Sequence, residues 1–130
     1  MKMKKGMLFI AAIMLLFMTK ADAVAQVQDN VVLTDMGNGL YEVAVYYEDG
    51  RLQEKGYMTN GLSTGQWVRY SPEGTILAVA SYNESGEKDG IWNIYSTSGE
   101  LAFELVYENN VRTMARSFDT EGDMVSYRVQ

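Results

Sequence analysis

The side chains able to carry chemistry in this 130-residue chain are carboxylates and aromatic rings, because the sequence contains no histidine and no cysteine. Those two absences remove the usual metal ligands and most nucleophile–base pairs. Seventeen Asp and Glu residues remain, and two carboxylates can in principle work as an acid–base pair, as in glycoside hydrolysis. The acids are scattered through turns and strand edges, which is typical of a solvated surface. We therefore expect no enzymatic activity, no catalytic residue and no cofactor.

One loop is crowded with acids. Glu84, Glu87 and Asp89 lie within six residues, and their oxygens are the type of ligand that Ca²⁺ prefers. The spacing matches no EF-hand loop, and an ordinary hydrated turn has the same composition. We therefore predict no metal site.

The aromatic residues offer a binding chemistry instead. Trp67 and Trp92 suit either a platform for a sugar ring or a partner side chain, or the core of a hairpin. Their recurrence at one repeat position favours the core. Tyr46, Tyr70 and Tyr95 form a second series, with one amphipathic ring in each repeat. We predict that these three tyrosines contact a partner.

The rings recur because the sequence repeats. GQWVRYSPEG, from Gly65 to Gly74, returns as GIWNIYSTSG from Gly90 to Gly99. Anchored on the aromatic residue four positions before each closing glycine, the copies fall at 46, 70, 95 and 118, in steps of 24, 25 and 23 residues. Short periods of this kind indicate stacked supersecondary units.

Glycines mark the same offsets in each copy, which predicts a repeated backbone shape with positive φ. The glycines to which we assign structural positions, beside the two tryptophans, are Gly50, Gly61, Gly65, Gly74, Gly86, Gly90, Gly99 and Gly122. With a single proline and no long run at a 3.6-residue spacing, the pattern predicts an all-β fold.

Each closing glycine is predicted to end a hairpin turn. The segment 71–74, Ser-Pro-Glu-Gly, suits a type I turn. A tight closure of this turn places Trp67 opposite Ala78, on an apolar face that also carries Arg69. The sequence therefore predicts that Arg69 reaches a sheet edge or an acid. The connection before Trp67, residues 59–65, is predicted to be a longer polar loop.

The N-terminal 25 residues predict a secretory signal peptide. Three lysines precede an apolar run from Gly6 to Met18, and Ala23-Val24-Ala25 supplies the small residues of a cleavage site. The run is short for a membrane span, although an uncleaved N-terminal anchor is the alternative. Without cysteine, no lipid anchor can form. We expect cleavage near Ala25 and export to the periplasm or the medium.

Three segments follow from this division. Residues 1–25 are the signal peptide, residues 26–39 are a polar leader with a possible short first strand at Val31–Thr34, and residues 40–130 are the hairpin-repeat domain. Cleavage leaves 7 basic and 16 acidic residues, a net charge of −9. Such a surface repels phosphate backbones and anionic lipids, so we expect neither nucleic-acid binding nor membrane insertion.

The repeat resembles the MORN-repeat-variant family over roughly residues 40–126. The residues that carry the resemblance are Tyr57, Gly61, Gly65, Trp67, Tyr70 and Gly74, and then Tyr82, Gly86, Gly90, Trp92, Tyr95 and Gly99. The resemblance implies consecutive antiparallel hairpins side by side in an extended, twisted, single-layer sheet. Bacterial relatives often carry an antitoxin-component label, and longer eukaryotic relatives are linked to membranes, scaffolding and protein contacts. No catalytic residue is implied.

The sequence therefore predicts a non-catalytic exported module that binds a protein partner in the cell envelope. A carbohydrate-binding module with exposed aromatic residues is the alternative, and an antitoxin-like protein is a third reading that requires the absence of export. A single-layer sheet leaves surface for a partner on its broad face and on its last strand, Met124–Val129. Of the two surfaces, the face with the tyrosine series is the one that we predict.

Overall fold

The described part of the chain folds into nine strands that form one sheet. The computed structural model describes residues 29–130, so the predicted signal peptide and its cleavage site lie outside the described residues. The strands are β1 (Val31–Gly37), β2 (Leu40–Tyr46), β3 (Leu52–Thr59), β4 (Leu62–Tyr70), β5 (Ile76–Tyr82), β6 (Gly90–Tyr95), β7 (Leu101–Glu108), β8 (Val111–Phe118) and β9 (Met124–Val129). Residues 29–130 contain no helix, which confirms the all-β prediction.

Strand order in the sheet follows strand order in the sequence, from β1 to β9. All neighbouring strands are antiparallel, so the sheet is an open meander of consecutive hairpins, as the resemblance implied. A strand does form at the possible first strand, Val31–Thr34, and it continues to Gly37. It pairs with β2 along its length.

The glycine-ended turns share one hydrogen-bond pattern. The amide of Ser71 donates to the Thr75 carbonyl at 2.8 Å, and the amide of Gly74 donates to the Ser71 carbonyl at 2.9 Å. The same two bonds close the turns that begin at Tyr47, Ser96 and Asp119. Gly74 has a φ of +90°, so each loop is a type I turn followed by a left-handed glycine. All eight glycines assigned to structural positions have positive φ.

The register differs from the predicted one by two residues. Trp67 lies opposite Ala80, not Ala78. The left-handed glycine adds one residue to the turn, and a β-bulge between Arg69 and Tyr70 adds another. Because a shift of two residues preserves the side-chain face, Trp67 remains on the face that was predicted.

The opposite ends of most hairpins are tighter than predicted. Asn60 and Gly61 form a two-residue turn with φ of +52° and +76°, and β4 begins at Leu62, so the long polar loop predicted for residues 59–65 is wrong. Turns at residues 38–39 and 109–110 have the same pair of positive φ values, as a type I′ turn requires. The connection between β5 and β6 is longer and contains the isolated bridge between Tyr82 and Lys88.

The buried residues lie mainly on one side of the sheet, which we call the core face; the other side is the back face. The core consists of Val31, Val43, Met58, Trp67, Ala80, Tyr82 and Trp92, with Leu33, Val45, Leu105 and Tyr107 packed against it. Every member belongs to β1–β7. All six residues of β9 are exposed, so the core ends before the C-terminal edge of the sheet.

Candidate functional site

The three predicted tyrosines occupy equivalent places in successive hairpins. Each is half-buried, follows a β-bulge, and lies opposite an aliphatic residue beside the glycine-ended turn. The pairs are Tyr46–Leu52, Tyr70–Ile76 and Tyr95–Leu101. Equivalent strands are two strands apart, so neighbouring rings are about 10 Å apart across the sheet. We call these residues the tyrosine row.

A fourth ring continues this row. Phe118 lies opposite Met124, again directly after a β-bulge. The sequence places the fourth repeat anchor at this residue, but its ring was not included among the predicted binding residues. The phenylalanine ring lacks the hydroxyl of the other three and is half-buried like them.

The first two turns are tied to each other beside the tyrosine row. The Tyr47 hydroxyl donates a hydrogen bond to the Tyr70 carbonyl at 2.6 Å, and the Arg51 guanidinium donates to the Pro72 carbonyl at 2.7 Å. Burial is the largest cause that raises the pKa of Tyr47. These bonds join successive repeats through side chains, in addition to the strand pairing.

Trp67 is completely buried, with 0% of its surface exposed. Its indole Nε1 donates to the Tyr57 carbonyl at 3.0 Å. The ring lies directly on Gly56, where a Cβ atom would overlap three indole atoms. This close approach explains why position 56 is a glycine. The repeat pattern did not single out Gly56, because the equivalent residue one repeat later is Ser81.

Trp92 is also buried, with a different set of neighbours. Its Nε1 donates to the Ser81 carbonyl at 2.8 Å, and its ring centroid is 5.3 Å from those of Tyr82 and Tyr107. The Lys88 ammonium lies 5.1 Å from the Trp92 ring centroid and 5.2 Å from the Tyr107 centroid. The burial of both tryptophans leaves neither indole as an exposed platform for a sugar ring.

The acidic loop between β5 and β6 is used for structure. The Asn83 side-chain amide donates to Glu87 at 3.4 Å, and the Asp89 carboxylate accepts from the Asn109 amide at 3.3 Å. The Lys88 amide donates to the Asn110 side chain at 2.8 Å. These bonds fasten the loop to the turn between β7 and β8 and hold the lysine over the Trp92 ring.

An ion pair lies within the core face. Glu54 is only 6% exposed, and its Oε1 is 3.3 Å from a guanidinium nitrogen of Arg69, its cross-strand neighbour. Arg69 thus reaches an acid, as predicted. The acid is Glu54, which the sequence did not single out. Burial raises the pKa of Glu54 to about 7, against the opposing effect of the Arg69 charge.

In the described part of the chain, two buried side-chain atoms have no hydrogen-bond partner. They are the Tyr82 hydroxyl and Asn93 Oδ1. Burial raises the pKa of Tyr82, and the negative charge of Glu54 adds to this effect. Tyr82 therefore remains a neutral phenol whose ring packs edge-on against Trp92.

Three carboxylates lie close together in the last turn. Asp119, Glu121 and Asp123 each offer an oxygen within 4.8 Å of the others. Asp119 already accepts hydrogen bonds from the amides of Glu121 and Asp123 at 3.0 and 2.9 Å. The cluster is largely exposed and is accounted for as a turn closed by an aspartate side chain.

The single sheet of repeated hairpins places residues 29–130 in the class of all-β repeat proteins. Residues 88–109 match the MORN repeat variant, and this match confirms the family resemblance. No curated protein is significantly similar to the chain. No helix within residues 29–130 is long and apolar enough to cross a membrane.

One similar solved structure is a mutant of S. aureus TarM in complex with fondaparinux, alpha-GlcNAc-glycerol and UDP. It shares 11% sequence identity and a TM-score of 0.47, over 95% of this chain and 25% of the TarM chain. The chain thus corresponds to about a quarter of the length of that protein, and the likeness carries no functional argument.

Proposed function

We propose that this protein is a non-catalytic binding module that holds a protein partner on the tyrosine row. The observation that supports this most is the regularity of the row. The same hairpin geometry places Tyr46, Tyr70 and Tyr95 beside equivalent turns, each paired with an aliphatic residue. A row of half-exposed rings with polar tips suits a protein surface, because such rings combine apolar contact area with a hydrogen-bonding group.

Neighbouring side chains and hydrogen bonds support the row. Leu52, Ile76 and Leu101 lie opposite the rings, and the Tyr47 and Arg51 hydrogen bonds connect the first turns. A binding surface that is already ordered loses less conformational entropy when a partner arrives. The row is therefore suited to a partner about 20 Å long, which is the reach of three rings about 10 Å apart.

A double substitution tests the proposal. We expect Tyr70→Ser combined with Tyr95→Ser to remain folded by circular dichroism and to lose its partner in a pull-down from envelope extract. Tyr41→Ser is the matched control, because Tyr41 is an exposed tyrosine of β2 and is not part of the row. The control variant should retain the partner.

Full retention of the partner by the double variant would show that the row is not the binding surface. Unfolding of the double variant would show that these rings are needed for stability and would leave Phe118→Ser as the milder test of the same row. A parallel glycan array separates the alternative function. Binding of a sugar by the parent, lost in the double variant without any protein partner, would replace the proposal with carbohydrate recognition.

We also propose that the protein is exported. The support is the order of a basic start, an apolar run and small residues at Ala23 and Ala25. Mass spectrometry of the periplasmic or secreted protein should find an N-terminus between Val24 and Gln26. An intact Met1 in the mature protein would instead indicate an N-terminal anchor.

A further inference from the structure

The tyrosine row runs straight across the sheet. The residues directly before its three tyrosines and Phe118 lie on one unbroken line of cross-strand pairs, and they are Val45, Arg69, Ile94 and Ser117. On each partner strand the aliphatic residue is two positions beyond this line, and the β-bulge absorbs the extra residue. The rings therefore stay level with one another instead of drifting along the strands.

The rings also lie on one face of the sheet. Each is three residues after a core-face residue of the same strand, which is Val43, Trp67, Trp92 or Ala115. An odd separation along a strand reverses the side-chain direction, so all four rings lie on the back face. Cross-strand partners share a face, so an aliphatic residue separates each ring from the next, in the order Leu52, Ile76, Leu101. The row thus contains three apolar gaps between rings.

Acidic turns border the row. The glycine-ended turns at residues 47–51, 71–75, 96–100 and 119–123 directly follow the rings. They contain one base, Arg51, and seven acids, which are Glu48, Asp49, Glu73, Glu100, Asp119, Glu121 and Asp123. The Arg51 guanidinium already donates to the Pro72 carbonyl, and its Nε is 3.7 Å from Asp49 Oδ2. Since charge complementarity selects partners, this border favours a basic one.

The spacing of the rings matches one kind of peptide backbone. Neighbouring rings are two strands apart, which is about 9.4–9.8 Å. Three residues of a polyproline II helix make one turn and rise about 9.3 Å, so every third side chain meets an equivalent gap. An extended strand places side chains on one face about every 6.8 Å, and an α-helix returns to one face after seven residues, about 10.5 Å. Both of these fall out of step with the row.

We propose that the tyrosine row binds a basic, proline-rich segment in the polyproline II conformation, with a proline at every third position. This inference names the class of partner for the proposed function and rests on it. Aromatic-lined surfaces accept proline rings of such a helix, and arginine or lysine at the positions between the prolines meets the acidic turns.

The backbone of such a segment also fits the row. A polyproline II helix has no internal hydrogen bonds, so its carbonyl oxygens can accept from the tyrosine hydroxyls. The same absence of internal bonds allows the segment to follow the twist that neighbouring strands introduce. The proline backbone is partly ordered before it binds, which lowers the entropy lost on binding.

Synthetic peptides test the period without any change in the protein. The probe is a fluorescein-labelled peptide with proline at every third position, one for each of the three gaps, and with arginine and serine between them. The control peptide has the same composition, rearranged so that no two prolines are three residues apart. Fluorescence anisotropy with the purified protein should show that the probe binds about tenfold more tightly than the control.

Two protein variants test which surface binds the probe. Tyr70→Ser with Tyr95→Ser should weaken binding about tenfold or more. Tyr41→Ser is the matched control and should bind like the parent, because Tyr41 pairs with Met58 and so lies on the core face. Glu48→Gln with Glu73→Gln changes two exposed turn residues. It should weaken binding of the arginine probe and leave binding of a version with glutamine in place of arginine unchanged.

Three results would overturn the inference. They are equal binding of the probe and the rearranged peptide, full binding of the probe by the double tyrosine variant, and tighter binding of a helical peptide with leucine at every seventh position. The last result would identify a helical partner instead. The peptide comparison and the glutamate variant decide the question even if the double tyrosine variant unfolds.

Failure of this inference and failure of the proposed function give different results. If the double tyrosine variant loses its partner from envelope extract while the parent binds no proline peptide, the row remains the protein-binding surface and only the polyproline assignment is wrong. If that variant retains the partner, the proposed function itself is wrong.

Discussion

Replacing Gly56 with alanine should destabilise this protein far more than a single methyl group usually does. Gly56 does not have positive φ, so its backbone conformation is open to any residue. The obstacle is the indole of Trp67, because a Cβ at position 56 would come within 3.0 Å of the Cδ2, Cε2 and Cγ atoms. Carbon atoms ordinarily stay about 3.5–4.0 Å apart, so the ring or the strand must move.

The size of the effect follows from the burial of Trp67. The ring is fully buried, and its Nε1 is held by the Tyr57 carbonyl at 3.0 Å, so any displacement disturbs both packing and that bond. Overpacking a core typically costs about 1–3 kcal/mol, and a lost buried hydrogen bond costs about 1 kcal/mol more. We therefore expect Gly56→Ala to lower the free energy of unfolding by about 3 kcal/mol, or to lower Tm by roughly 12 °C or more.

Urea unfolding followed by far-ultraviolet circular dichroism measures this loss. Ser81→Ala is the matched control, because Ser81 is the equivalent residue of the next repeat and already carries a Cβ; its effect should stay within about 0.5 kcal/mol. A double-mutant cycle completes the test. In a Trp67→Ala background the same Gly56→Ala change should cost almost nothing, because the overlapping ring is gone.

The explanation fails if Gly56→Ala unfolds at the same urea concentration as the parent. It also fails if the substitution costs as much without the tryptophan as with it, because the penalty would then come from the strand backbone.

Three other outcomes follow from the same structure. Trp92→Ala should lower the free energy of unfolding by about 3–5 kcal/mol in urea titrations, and a parent-like midpoint would show that the ring is not part of the core. Gly74→Val should cost more than Gly74→Asn, because at a φ of +90° a β-branched residue is strained more than asparagine; equal thermal midpoints would contradict this. Burial raises the pKa of Glu54 from its ordinary 4.5 to about 7, so the folded state retains a proton that the unfolded state releases. The resulting stability is complete below about pH 4.5 and is lost as the pH rises through about 7, by up to roughly 3 kcal/mol at 1.36 kcal/mol per pKa unit. Glu54→Gln should remove that loss between about pH 5 and about pH 8, and a variant with the same pH dependence as the parent would assign it to other groups.

The hairpin repeat was predictable because its signal is local. A left-handed turn position requires glycine or asparagine, so the glycines at 74, 99 and 122 mark the turns in the sequence itself. The all-β fold and the order of the hairpins follow from these marks. The signal is incomplete at the two-residue turns. Asn109 and Asn110 form the same type of turn as Asn60 and Gly61, but without a glycine.

The register and the interior were harder to predict because they depend on contacts between strands. The bulge between Arg69 and Tyr70 leaves no mark in residue type, and it moved the partner of Trp67 by one position. Gly56 is required by a ring eleven residues away, not by its own backbone. Glu54 reads as an ordinary surface acid until the pairing of β3 with β4 places it beside Arg69.

The missing third tryptophan explains why the two ends of the sheet differ. Ala115 stands in β8 at the position of Trp67 and Trp92 and pairs with Leu105. Without an indole there, the core ends at β7. The last hairpin is then held by backbone pairing and by Arg116, which bonds Glu104 and lies 5.6 Å from the ring centroid of Tyr127. Elements with few buried contacts open most readily. Ala115 pairs with Arg128 of β9, so the lost ring would have lain on the core face of the last hairpin, where no residue of β8 or β9 is buried.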